Sequence, residues 1–179
     1  MLNSVDAVLV IVDVQGRLAS LMHERDSLIA NISIMIQACH RLDIPILWNE
    51  QVPDKLGETV PELAELMGTL KPMAKTTFSC LGNDAFNEAL ADTRRRQVLL
   101  VGIETHVCVY QTAIDLLENL LEVHVIADAV SARKVENKKL ALHKMRLAGA
   151  DVTTTEMCLF EMLRTAEAEA FRDISRLVR

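Results

Sequence analysis

The chain has 179 residues, half of them hydrophobic and a quarter charged, with a net charge of −6. That length is read as one domain over residues 1–179, able to enclose roughly 70% of its unfolded surface around a single core. The acidic balance argues against nucleic acid as a partner, and no stretch reaches the ~18 apolar residues of a membrane span.

The opening stretch MLNSVDAVLVIVDVQG is apolar, but Asp6 and Asp13 interrupt it and no Lys or Arg precedes the run, so it does not read as a signal peptide. Cys39, Cys80, Cys108 and Cys158 form no C-x-x-C pair. Reduced thiols and a cytoplasmic location are expected.

In chain order, AVLVIVDV (7–14) is a continuous apolar run and predicts a strand buried on both faces. Leu28, Ile32, Met35, Cys39 and Leu42 follow at spacings of three and four, marking one face of a helix. IPILW (44–48) predicts the second strand, and Thr59-Val60-Pro61-Glu62 a helix start, with Pro in the first turn and Glu at the positive end of the dipole. A short third strand is expected near KPMAKTT (71–77). Asn83 caps the helix NDAFNEALADT, and QVLLVGI (97–103) is the fourth strand. A helix from about Val107 carries Val109, Ala113, Leu116, Leu117, Leu120 and Leu121 inward. EVHVIADAV (122–130) predicts a strand, ENKKLALHKMRLAGA (136–150) a helix ending at Gly149, and DVTTT (151–155) the last strand. Short helices around 156–164 and 167–178 end the chain.

Six strands alternating with helices predict a three-layer, Rossmann-like α/β fold with a mainly parallel sheet. Such sheets bind ligands at the carboxyl ends of their strands, near the point where strand order reverses. The polar residues expected there are Asp13 and Gln15, the stretch Asn49–Gln51, Lys75–Ser79, Glu104–Cys108 and Asp128. Neither G-x-G-x-x-G nor a P-loop is present, so no nucleotide cofactor is expected.

Cys108 stands at a strand-to-helix join. A helix start favours thiolate over thiol, whereas burial in apolar surroundings does the opposite. A nucleophilic thiol needs a lowered pKa or a nearby base. Asp13 is the carboxylate placed to take the proton and Lys75 the ammonium placed to hold an anion, although spacing alone does not bring them together. Cys39 and Cys158 fall on apolar helical faces and read as core; Cys80 reads as core or crevice lining.

The segments VLVIVDVQ, KPMAKTTFS and VGIETHVCVYQTA, with EVHVIADAVSAR downstream, resemble the isochorismatase-like superfamily of cysteine hydrolases over essentially the whole chain. The nearest likeness is to small, single-domain members. The resemblance implies strand order 3-2-1-4-5-6, a catalytic triad of Asp13, Lys75 and Cys108, a non-proline cis peptide at Ile103–Glu104, and an oxyanion hole from the backbone N–H groups of Glu104 and Cys108. It also implies a homo-oligomer. Nicotinamidases in the superfamily carry an Asp-x-His pair for a metal; here the region reads LWNEQVPDKLG, without histidine, so no metal and no cofactor are expected.

The expected activity is hydrolysis of a small amide, ureide or related C–N carbonyl compound through a thioester. Gln15, Trp48, Phe78, His106 and Tyr110 are the candidates for the walls of a small-molecule substrate pocket. Two other classes are compatible with the residues: a binding protein that retains the fold and triad without turnover, and a thiol redox protein.

Overall fold

The computed structural model describes residues 1–179. β1 (Ala7–Val12) is buried at all six positions, as a strand covered on both faces must be. Its side chains alternate between two cores. Ala7, Leu9 and Ile11 join a cluster of 31 buried residues; Val8, Val10 and Val12 join one of 19 on the other face.

The larger core is covered by helices α2 (Arg25–Arg41), α8 (Thr155–Leu163) and α9 (Phe171–Leu177), through Ile32, Met35, Ile36, Leu159 and Ile174. The smaller is covered by α5 (Asp84–Thr93), α6 (Tyr110–Glu118) and α7 (Val135–Leu147), through Phe86, Leu90, Ala113, Leu116 and Met145. Between these layers lies a six-stranded sheet in the order β3-β2-β1-β4-β5-β6. The remaining strands are β2 (Ile46–Gln51), β3 (Met73–Lys75), β4 (Gln97–Ile103), β5 (Glu122–Ser131) and β6 (Asp151–Thr153), and every pairing is parallel. The fold is therefore the three-layer α/β arrangement expected, with its order reversing between β1 and β4.

Several elements differ from the sequence expectation. β2 starts two residues later than 44 and runs on through Asn49, Glu50 and Gln51, all buried. These polar residues stay in the strand because β3 pairs with them, Asn49 to Met73, Glu50 to Ala74 and Gln51 to Lys75. Two short helices, α1 (Gly16–Ser20) and α3 (Pro53–Leu56), occupy stretches with no readable period. The start at Pro61 yields only the single turn α4 (Pro61–Ala64), continued as a 3-10 turn. The helix expected from Val107 begins instead as a π-helical turn, Thr105–Val109, before α6.

Gly102 lets β1 and β4 converge at their carboxyl ends. Its φ is +119°, and a Cβ there would lie 2.1 Å from the Val12 carbonyl oxygen. Only glycine fits such an approach. Beside it β5 bulges: Leu100 pairs with Val125, but Gly102 pairs with Val130. The bulge turns Asp128 toward α8, where its carboxylate accepts from the Thr155 N–H and hydroxyl at 2.8 and 2.9 Å. Asp128 is thus a helix cap.

Candidate active site

The switch point gathers residues from four strand ends. Asp13 follows β1 directly in left-handed backbone geometry (φ 53°), and its N–H donates to the Asn49 carbonyl at 3.2 Å. Lys75 is the last residue of β3 and Gln51 the last of β2, and the two are register partners. The Lys75 ammonium lies 2.7 Å from Asp13 Oδ2, 2.6 Å from Gln51 Oε1, and 3.1 and 3.0 Å from the Thr77 and Phe78 carbonyls. An ammonium has three protons, so these four oxygens occupy it fully. Neither side chain of the ion pair is more than 2% exposed.

Cys108 lies in the π-helical turn, buried beside Asp13. Glu104, whose carbonyl accepts from the Val107 and Val109 N–H groups at 3.0 and 3.3 Å, opens that turn, and the Ile103–Glu104 peptide is cis. Burial pushes the Cys108 thiol well above its ordinary range, the Asp13 charge adds to this, and Lys75 opposes it without prevailing. The helix-start effect considered from sequence is outweighed: at rest the group is a thiol. Burial also raises the Asp13 carboxyl, against the pull of Lys75 and of the Cys108 thiol. Asp13 Oδ1 is enclosed and accepts no hydrogen bond of ordinary geometry. One carboxylate oxygen is therefore held by Lys75, and the carboxylate interacts with the Cys108 thiol as well.

A cavity of about 130 Å³ opens onto this cluster. Asp13, Gln51, Glu104 and Cys108 supply its polar surface; Leu18, Leu56, Phe78, Ile103 and Val107 are the apolar walls. A larger groove of about 450 Å³, between α5 and the Asn119–Leu121 turn, contains none of these residues.

Of the five pocket candidates read from sequence, Phe78 alone lines the cavity. Gln15 is wholly buried and acts as a clamp: its amide donates to the Gln51 and Gly57 carbonyls at 3.2 and 2.6 Å and accepts from the Gln51 N–H at 2.6 Å. It ties the end of β2 to the segment that carries Leu56. Trp48 stands three residues before Gln51 in an alternating strand, so it faces the opposite side, where its indole N–H donates to Thr59 Oγ1 at 2.8 Å. His106 and Tyr110 line a separate cavity of about 230 Å³ against α7, with Lys144 over the Tyr110 ring at 4.8 Å. The π-helical turn presents 107 and 108 to one side and 106 and 110 to the other. Gln51 was the residue underweighted in the sequence; its signal was a polar run ending an apolar strand without turn residues.

Cys39 and Cys158 are buried in the larger core, and burial pushes the Cys158 thiol to about 12. Cys80 is buried in the smaller core, its thiol likewise raised to about 12 by burial, and it does not line the cavity. No group of three or more His, Cys, Asp or Glu side chains is arranged to hold a metal ion, and no helix is long and apolar enough to cross a membrane.

A parallel sheet in this order, with its polar cluster at the switch point, defines an α/β protein of Rossmann-like topology. The isochorismatase domain model matches residues 7–157, and the chain belongs to the isochorismatase family. It is 36% identical over 177 residues to isochorismatase domain-containing protein 2 of Danio rerio, covering 99% of this chain and 89% of that one. Among solved structures it resembles the MAR1 ribonuclease of Caenorhabditis elegans at TM-score 0.93 and 35% identity, covering 99% and 91% of the two chains. It also resembles YcaC of Pseudomonas aeruginosa, solved with hexane-2,5-diol and covalent acrylamide, at TM-score 0.90 and 26% identity, covering 97% and 89%.

Proposed function

We propose that the protein is a cysteine-dependent hydrolase of a small, neutral amide, ureide or related C–N carbonyl compound. The observation that carries this reading is the environment of the Asp13 carboxylate, with Oδ2 held by Lys75 at 2.7 Å, Oδ1 buried, and the Cys108 thiol lining the same cavity and interacting with the same carboxylate. A thiol raised by burial is a poor nucleophile unless its proton leaves as the bond forms, and a neighbouring carboxylate is a base for it.

In the reaction, Asp13 Oδ1 takes the thiol proton as Cys108 Sγ bonds to the carbonyl carbon, and the resulting oxyanion faces the N–H groups of Glu104 and Cys108. Asp13 then returns the proton to the leaving nitrogen, and the C–N bond breaks to leave a thioester. Water, deprotonated by the same carboxylate, attacks the thioester; the acid departs and the thiol is restored. Lys75 keeps Asp13 ionised before each proton is taken and offsets negative charge near the sulfur.

The cavity limits the substrate. About 130 Å³ accommodates a few heavy atoms around the carbonyl. No cation lines the cavity, and Lys75, behind Asp13, is already occupied by four oxygens, leaving nothing to pair with a carboxylate or phosphate on the substrate. The covalent acrylamide of the YcaC relative is a small neutral molecule that bonds to nucleophiles through its vinyl carbon, so it speaks for a reactive group in that protein and not for amide cleavage. The ribonuclease name of the C. elegans relative points elsewhere, but a net charge of −6 and a cavity this narrow favour a small molecule over RNA.

A screen of small amides and ureides, with wild type compared against Cys108→Ser, tests the reading. The expected result is turnover lost in the variant and a substrate-derived acyl group on Cys108 in the intact mass of wild type. Undiminished hydrolysis by Cys108→Ser would sink it. A thiol that is selectively oxidised but never acylated would favour the redox alternative, and one inert to both would favour a binding protein.

A further inference from the structure

We propose that Arg133 is a positioning residue whose ion pair with Glu104 holds the donors that face the reacting carbonyl; this rests on the cysteine-hydrolase reading above. Glu104 both lines the Cys108 cavity and contributes the first N–H of the proposed oxyanion hole. Its side chain is 7% exposed, and Oε2 accepts two hydrogen bonds from Arg133, from the backbone N–H and from Nε, each at 3.1 Å. Arg133 does not line the cavity, and its side chain is 57% exposed. The guanidinium therefore grips Glu104 from outside the site.

The gripping segment is itself anchored. Ser131 Oγ donates to the His23 carbonyl at 2.7 Å, and the His23 N–H donates to the Ala132 carbonyl at 3.0 Å. A second tie runs from the same stretch to the same turn: the Asn137 amide lies 3.2 Å from His106 Nε2. Residues 133 and 137 thus brace residues 104 and 106, on the approach to Cys108, although neither touches the cavity.

The consequence follows from charge. Burial pushes the Glu104 carboxyl up, but the hydrogen bonds and charge of Arg133 outweigh it and hold the group below its ordinary range. Without the guanidinium, a nearly buried carboxylate keeps only the Arg133 N–H as partner. It then gains by rotating toward water through the cavity it lines, taking its own peptide with it. Oxyanion stabilisation depends on donors lying within tenths of an ångström of their positions, so such a displacement slows acyl transfer while sparing the sulfur.

Two reagents that attack the same sulfur separate these effects. p-Nitrophenyl acetate acylates Cys108 through a tetrahedral oxyanion and releases nitrophenolate; iodoacetamide alkylates it by direct displacement of iodide, with no oxyanion. Arg133→Ala is expected to slow acetylation by about 10- to 100-fold while alkylation stays within about twofold of wild type. Arg133→Lys, which restores the charge but not the fork, should recover part of the acetylation rate. An unchanged acetylation rate in Arg133→Ala overturns the proposal. So does equal slowing of both reactions, the outcome of a loosened fold or an altered thiol. If Cys108→Ser gives the same nitrophenolate burst as wild type, the cysteine-hydrolase reading itself fails, and the positioning role falls with it.

Discussion

Lys75 Nζ and Asp13 Oδ2 are 2.7 Å apart and shielded from solvent, 62 residues apart in sequence, each at the carboxyl end of a different strand. The ammonium that neutralises the carboxylate also saturates itself on Gln51 and two carbonyls. Replacing Lys75 with Met would leave a buried carboxylate unpaired. Destabilisation of about 3–5 kcal/mol is expected by urea unfolding, with activity lost. Lys75→Arg should not rescue, because a planar fork cannot place its donors on four oxygens that surround a point charge.

The two carboxyls at the site respond to pH with opposite sign. Burial raises the Asp13 pKa in the folded state, so its contribution to stability is present below the unfolded pKa and lost as pH rises through the folded one. Arg133 overcomes burial at Glu104 and lowers its pKa, so that contribution is present above the unfolded pKa and lost as pH falls through the folded one. Stability measured against pH should therefore change slope in opposite directions for Asp13→Asn and Glu104→Gln.

The same shift at Asp13 sets the activity profile. A base must be ionised to accept the thiol proton, so the acid limb of kcat/KM should lie above the ordinary aspartate range. With the Cys108 thiol raised well above its ordinary value, the profile should show no inflection from a free thiol near pH 8 to 9. An inflection there would argue that the thiol is solvated in the working enzyme.

Gly102→Ala tests the convergence of β1 and β4. With φ at +119° and a Cβ 2.1 Å from the Val12 carbonyl, the substitution must push apart the strands that carry Asp13 and the Cys108 turn. A loss of about 3 kcal/mol or more is expected, with activity falling further than stability alone explains. Parallel urea titrations and rates would check it.

Trp48→Phe separates packing from catalysis. It removes the indole donor to Thr59 Oγ1, whose hydroxyl in turn donates to Glu50. Stability should drop by about 1 kcal/mol, while kcat/KM should change little because the ring faces away from the cavity. A large loss of activity at unchanged stability would put Trp48 back at the substrate.

Much of the fold was legible in the sequence. The unbroken runs at 7–14 and 97–103 announced strands covered on both faces, and the three-and-four spacing of Leu28, Ile32, Met35 and Cys39 announced α2. What periodicity misread was the end of β2. Asn49, Glu50 and Gln51 look like loop residues, yet they remain in the strand because β3 pairs with them and because the Glu50 and Gln51 side chains find partners at Thr59, Lys75 and Thr76 while the Asn49 amide reaches the Ile11 carbonyl at 3.4 Å. Polar side chains are buried when other parts of the chain satisfy them, and those parts are not visible in a local window.

By itself, then, the sequence determined the alternation of strand and helix, the polar residues at the strand ends and the presence of an acid, an ammonium and a thiol among them, since each follows from local composition and period. Tertiary structure alone decided which of these meet. Strand order brings Asp13, Gln51, Lys75 and Cys108 to one crevice; strand parity sends Trp48 to the other side, and a π-helical turn sends His106 and Tyr110 toward α7. The protonation of the thiol was likewise a tertiary matter, because burial and the neighbouring Asp13 charge outweigh a helix start that favours the thiolate.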